Sequence, residues 1–146
     1  MAQTQPQPLA DDIGFLLSRA GGMVLGAVNK ALVPLGLKVR AYSVLVLACE
    51  HAAGVNQRTV ATTLGLDPSQ IVGLVDELEE RGLVRRTPDP ADRRNRLIAA
   101  TEEGRRVQEE AQGLVDQAHR GYFEGLSPEA VDELRTALKR IVFPRS

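Results

Sequence analysis

Apolar positions in this chain recur mostly every three or four residues, the spacing of helices that bury one face. From Asp11 onward, Ile13, Leu16, Leu17, Ala20, Val24, Ala27, Val28, Ala31 and Leu32 hold that spacing, and the Gly21-Gly22 pair weakens the middle. Pro34 and Gly36 close this first predicted helix. Residues 39–52, VRAYSVLVLACEHA, carry two stripes at once: Tyr42, Leu45, Val46, Cys49 and Val44, Leu47, Ala48, His51. A segment apolar nearly all round predicts a buried central helix.

The pattern then shortens. Asn56 offers a cap to a brief helix with Val60, Ala61 and Leu64 on its inner face, ending at Gly65. After a two-residue link Asp67 caps and Pro68 opens a second helix, in which Ile71, Leu74, Val75 and Leu78 point inward. Ser69, Gln70, Val72 and Gly73 then face outward. Two short helices joined by a tight turn, the second with an exposed polar start, form a helix-turn-helix, which can lay its second helix in a major groove. Directly behind it, GLVRRTP and LIAAT read as two extended segments that DPADRRNR, residues 89–96, joins into a hairpin. Thr101 opens a further helix with Val107, Ala111, Leu114, Val115, Ala118 and Tyr122 on one face, running to about Gly125. Ser127 and Pro128 cap a last helix striped by Val131, Leu134, Leu138 and Ile141. Residues 1–10 hold prolines and glutamines without periodicity and predict a flexible lead-in.

Length and composition narrow the function. At 146 residues the chain is about one domain long. Eighteen Lys and Arg stand against nineteen Asp and Glu, so contact with a polyanion must come from a local patch. Residues 81–96 supply it, with six arginines against two aspartates. The one cysteine excludes an intrachain disulfide, and MAQTQPQPLADD lacks the layout of a signal peptide, so a reducing cytoplasmic setting is expected. Apolar stretches are interrupted by charge well short of a bilayer span, and no membrane segment is expected.

The order of elements resembles the MarR family of winged helix-turn-helix transcriptional regulators, over nearly the whole chain. LEERGLVRRTPDPADRRNRLIAAT, residues 78–101, carries the most specific part of that likeness, with a D-x-R element at Asp92 and Arg94 and a helix-opening Thr101. Two positions depart from the family pattern. Gly73 stands where many members have a long polar or basic side chain, and Ala100 where a leucine usually precedes the threonine. The resemblance implies a mainly α fold with a small β wing, a winged helix-turn-helix lobe at 37–100 and a helical dimerisation region at 11–36 and 101–146. It also implies a homodimer on a pseudo-palindromic double-stranded DNA operator, and a small ligand or oxidant that relaxes DNA binding, making the protein a repressor.

Chemistry assigns candidate roles. Arginine binds phosphate through a planar fork or enters a narrow minor groove, which nominates Arg94 first and Arg96 second, with Asp92 positioned to hold Arg94. Arg93 and Arg86 are expected at phosphates or facing solvent. Ser69 and Gln70 begin the recognition helix, where Gln70 can pair with adenine and Val72 can touch a thymine methyl. The departure at Gly73 shifts readout toward these three. Arg58 suits the DNA backbone.

Other chemistry is sparse. Tyr42 and His51 sit on opposite faces of the central helix, where the family tends to place its ligand, and are weak ligand candidates beside an ordinary core role. Cys49 lies in an apolar helix without a basic neighbour in sequence, so a plain thiol is expected in place of a peroxide sensor. Cys49 and His51 point apart on a helix, and with only His51 and His119 no metal site or other cofactor is expected. No nucleophile–base pair or phosphate loop speaks for an enzyme. The competing reading is a winged-helix protein-interaction module that does not touch DNA.

Overall fold

The computed structural model describes residues 6–144. The first five residues of the expected lead-in lie outside that range. Among the described residues, six α-helices and three short strands follow in the order α1 (Ile13–Ala31), α2 (Val39–Cys49), β1 (Val55–Asn56), α3 (Gln57–Leu64), α4 (Pro68–Glu80), β2 (Val84–Pro88), β3 (Arg96–Ala100), α5 (Glu102–Tyr122) and α6 (Pro128–Val142). The mainly α architecture with a β wing is therefore present.

Local chemistry sets the boundaries. A 3-10 turn, Leu9–Asp11, already orders the end of the expected lead-in, and Asp12 then caps α1 by accepting the Phe15 N–H at 2.8 Å. The glycine pair does not interrupt this helix, which runs to Ala31. A 3-10 turn, Val33–Leu35, and Gly36 at φ 64° then reverse the chain. Asn56 accepts the Arg58 N–H at 2.7 Å to start α3, and Gly65 ends it in the left-handed region. Thr101 and Ser127 accept the N–H groups of Gly104 and Ala130 to start α5 and α6.

The central helix is held by its neighbours. Its N-cap, Lys38, offers no side-chain bond, and Asn29 of α1 accepts the Val39 N–H at 2.8 Å instead. At the other end Arg105 of α5 donates to the Cys49 carbonyl at 3.2 Å. Helix α2 stops there, so residues 50–53 form an exposed turn and His51 is not on a helix face. The expected placement of Tyr42 and His51 on opposite faces is thus corrected.

The sheet has the order β1-β3-β2, all antiparallel, with Val84 opposite Ala100, Pro88 opposite Arg96 and Val55 opposite Ile98. The hairpin is where the alternation places it, while the short β1 was not anticipated. Two glycines permit close approaches. A Cβ on Gly104 would collide with the Leu83 carbonyl, and one on Gly54, at φ 99°, would strike the Ile98 backbone. The first seats the start of α5 against the base of the hairpin, where Thr101 also donates to the Gly82 carbonyl at 2.6 Å.

One core joins these elements. Leu45, Val60, Ile71, Val75, Leu78, Val84 and Ile98 from the lobe pack in one cluster with Val28 and Leu32 of α1 and Val107, Ala111 and Val115 of α5. The apolar core therefore runs across residues 36/37 and 100/101. Helix α6 buries no residue, and Leu134 and Ile141 remain exposed. Among the described residues no helix is long and apolar enough to cross a membrane.

Candidate nucleic-acid interface

Ser69, Gln70, Val72 and Gly73 are all exposed along one face of α4, as the spacing requires, because Ile71, Val75 and Leu78 turn inward. Val72 is 40 % exposed, an apolar spot on a polar face. Nothing lies near the position a Gly73 Cβ would occupy. Gln70 has local employment: its Oε1 accepts the Asp67 backbone N–H at 3.0 Å, the return half of a capping box. Bidentate pairing with adenine needs that oxygen, so base reading by Gln70 competes with the helix cap.

Between the helix-turn-helix and the hairpin tip lies an open groove of about 500 Å³, lined in part by Arg58, Thr62, Pro68, Arg94, Asn95 and Arg96. No acidic side chain lines it. Thr62 and Asn95 escaped sequence reasoning. The inward pattern of Val60, Ala61 and Leu64 leaves Thr62 outside, and that signal was available.

The tip is built from nested turns. Asp89 Oδ1 accepts the Ala91 N–H at 2.9 Å, Asp92 Oδ1 accepts the Arg94 N–H at 3.0 Å, and the Asp89 N–H closes onto the Asn95 carbonyl at 3.2 Å. Asp92 thus holds Arg94 through its backbone and leaves the guanidinium outside. Among the described residues no hydrogen bond or ion pair engages the side chains of Arg93, Arg94 or Arg96.

Two other arginines of the basic block are committed internally. Arg81 donates to the carbonyls of Leu35 and Gly36 at 2.8 and 3.1 Å, tying the end of α4 to the α1–α2 turn. Arg86 sits against α4, with Asp76 at 2.5 Å and Glu79 at 2.7 Å from its guanidinium. Its side chain is only 20 % exposed. Arg86 is accordingly ion-paired and not solvent-facing, which corrects that half of the expectation for this residue. The signal lay in the two-residue period of a strand, which puts Arg86 on the same side of β2 as buried Val84.

Away from this face, Tyr42 is buried and its hydroxyl donates to Gln112 Oε1 at 2.9 Å, while Gln112 Nε2 donates to Asp116 at 2.9 Å. Burial pushes the phenol pKa up, and the Asp116 charge adds to the shift. Cys49 is half-buried; burial raises its pKa and nearby Arg105 opposes the rise without overcoming it. Arg105 is a basic neighbour brought from α5, which sequence proximity around Cys49 did not show.

A model of the MarR family matches residues 35–95, from the α1–α2 turn to the hairpin tip. Over the whole chain the likeness is closer. A MarR-family transcriptional regulator from Rhodococcus sp. RHA1 is 71% identical, with a TM-score of 0.92 over 96% of this chain and 99% of its own. This chain belongs to the MarR family. CouR from Rhodococcus jostii RHA1, whose crystal structure was solved bound to p-coumaroyl-CoA, is 68% identical with a TM-score of 0.91 over 97% of this chain and 99% of its own. A transcriptional repressor, CouR, bound to a 23-mer DNA duplex is 33% identical, with a TM-score of 0.82 over 96% and 99%. The protein is therefore a MarR-family transcriptional regulator with a winged helix-turn-helix, and the family is one of regulators and not of enzymes.

Proposed function

We propose that two copies of this chain form a repressor that grips a pseudo-palindromic DNA operator and releases it when an aromatic acyl-CoA thioester binds. The observation that carries the DNA half is the acid-free groove between the recognition helix and a tip whose arginines have no internal partner. Arg94 and Arg96 enter or border the minor groove, while Arg93 and Arg58 meet phosphates and Asp92 shapes the tip. Ser69, Gln70 and Val72 face base edges. This division makes residues 37–100 the reading lobe, and 11–36 with 101–146 the pairing region.

Pairing is supported by apolar surface that one chain leaves bare. Ile13 is 83 % exposed and Ile141 63 %, with Leu16, Leu17, Leu134 and Phe143 also open to water. A second copy buries these faces with symmetry and sets two lobes about one DNA turn apart, ~34 Å. The thioester comes from the 68% identical relative solved with p-coumaroyl-CoA. Tyr42, with its hydroxyl in a polar chain along α5, remains a ligand candidate, and exposed His51 a weaker one.

The test is titration of the full chain onto duplexes from upstream of its own gene, with p-coumaroyl-CoA or free coenzyme A added. Binding that the thioester abolishes and coenzyme A does not is the expected result. Binding untouched by saturating thioester would remove the effector, and a chain that sediments as a monomer at micromolar concentration would remove the dimer. The interaction-module reading needs a protein partner in place of any duplex.

A further inference from the structure

The committed state of Arg86 points to a role outside the phosphate contacts. Its guanidinium reaches three places on two successive turns of α4: the Val72 carbonyl at 3.3 Å, Asp76 at 2.5 Å and Glu79 at 2.7 Å. Glu79 closes the arrangement by accepting the Arg86 backbone N–H at 3.1 Å, a donor on an edge strand. Strand β2 is therefore fastened to the recognition helix by a four-point joint, beginning at the backbone of Val72, itself among the residues that face outward for base reading.

Electrostatics makes the joint more than a brace. Asp76 is 61 % exposed and Glu79 42 %, so α4 presents carboxylates one and two turns beyond Val72. Bare, they would repel a polyanion approaching that helix. A phosphate that took over the Arg86 N–H groups now on Asp76 and Glu79 would uncover both carboxylates. An arginine serving as a phosphate ligand would instead stand like Arg94, with its guanidinium outside.

We propose that Arg86, with Asp76 and Glu79, is a positioning residue for DNA reading: it fixes the roll of the recognition helix against the wing and neutralises the acidic face that the helix would otherwise present. The proposal rests on the DNA-binding reading above and adds residues to it, since Asp76 and Glu79 become necessary for affinity in spite of their charge.

The experiment compares wild type, Arg86→Ala, Asp76→Asn and the double variant on a duplex selected from a random-sequence pool by the wild-type chain, and on a scrambled duplex, over a range of KCl. Arg94→Ala serves as the control for a residue that meets DNA directly. Positioning predicts that Arg86→Ala and Asp76→Asn each weaken the selected duplex about tenfold, the order of one misread base pair. For Asp76→Asn the scrambled duplex stays as in wild type, whereas Arg86→Ala also weakens it, because the uncovered carboxylates repel every sequence; in both variants the slope of log affinity against log salt stays as in wild type, since no phosphate contact is lost. The double variant is no worse than Arg86→Ala alone, because the two side chains act as one joint.

Asp76→Asn alters one exposed side chain and carries the test if Arg86→Ala does not fold. The sign is decisive, since removing an acidic charge from a DNA-facing helix strengthens binding unless that charge holds something in place. Asp76→Asn binding as tightly as wild type would overturn the proposal, and so would Arg86→Ala lowering the salt slope by about one, which would make Arg86 a phosphate ligand. A wild-type chain that enriches no duplex overturns the DNA-binding reading itself, and the proposal with it.

Discussion

Ile71, Val75 and Leu78 on α4 repeat at the same helical spacing as Leu134, Leu138 and Ile141 on α6, yet the first three are fully buried while Ile141 is 63 % exposed. Helix α1 is divided between the two conditions, with Val28 and Leu32 in the core and Ile13, Leu16 and Leu17 in water. An apolar stripe announces a face that must be covered, and says nothing about which chain covers it. In the lobe the covering elements lie within a few tens of residues. At the chain ends they have to come from elsewhere, and a second copy is the source we propose.

Substitutions should separate these two kinds of stripe. Leu78→Ala leaves a void among packed neighbours and is expected to cost about 2–5 kcal/mol of unfolding free energy. Leu134→Ser with Ile141→Ser removes little packing within one chain but spoils the pairing face. That double variant should keep its helical circular dichroism, sediment as a monomer, and lose roughly a hundredfold in operator affinity because each lobe then binds alone. A double variant that remains a dimer would move the interface off α6, and one that unfolds as Leu78→Ala does would erase the distinction.

A second contrast, within the basic block, sharpens the first. Among the described residues the tip arginines have no internal partner, and the basal pair, Arg81 and Arg86, is engaged. Arg94→Ala is expected to weaken all duplexes and to flatten the salt slope, because a contact with backbone or groove charge carries little sequence information. Gln70→Ala should flatten the preference at one position per half-site by about 1–3 kcal/mol. It should also lower helix stability slightly, since Gln70 Oε1 holds the Asp67 N–H. Competition titrations with single-base variants of the operator distinguish the two patterns. A Gln70→Ala chain that keeps full discrimination would leave the residue as a cap alone.

What could be read in advance divides along the same line. Asn56, Gly65, Asp67 and Pro68 act within three or four residues of themselves, as does the capping bond of Thr101 to Gly104, so the helix-turn-helix and the start of α5 were legible from spacing. The wing was legible because its two strands alternate on either side of a turn-forming stretch. The end of α2 was not, for Arg105, 56 residues away, caps the Cys49 carbonyl and releases His51 into a turn. Strand β1 has two residues and exists through its pairing with β3, a tertiary fact. The arginines were all visible as charge. Their division into engaged and unengaged depends on carboxylates 10 and 7 residues before Arg86 on another element, and on carbonyls 46 and 45 residues before Arg81.

The smallest expected effect belongs to Cys49, which stands at the end of α2, where Arg105 of α5 reaches it. Its thiol is half-buried on α2, and Arg105 of α5 lies close enough to favour the thiolate. Were that attraction dominant, the cysteine would be an activated thiol able to report oxidation to both regions. Burial outweighs it, so the pKa moves up from the ordinary thiol value and the thiolate fraction at neutral pH falls. Alkylation by iodoacetamide should therefore be slower at neutral pH than in the unfolded chain, and should keep rising with pH beyond the point where the unfolded thiol levels off. Cys49→Ser should bind operator as wild type does, before and after peroxide treatment, because the guanidinium of Arg105 reaches the Cys49 carbonyl and not its sulfur. A peroxide-induced release present in wild type and absent from Cys49→Ser would reverse the balance argued here, and would make the α2–α5 contact a redox-sensitive joint between the two halves of the chain.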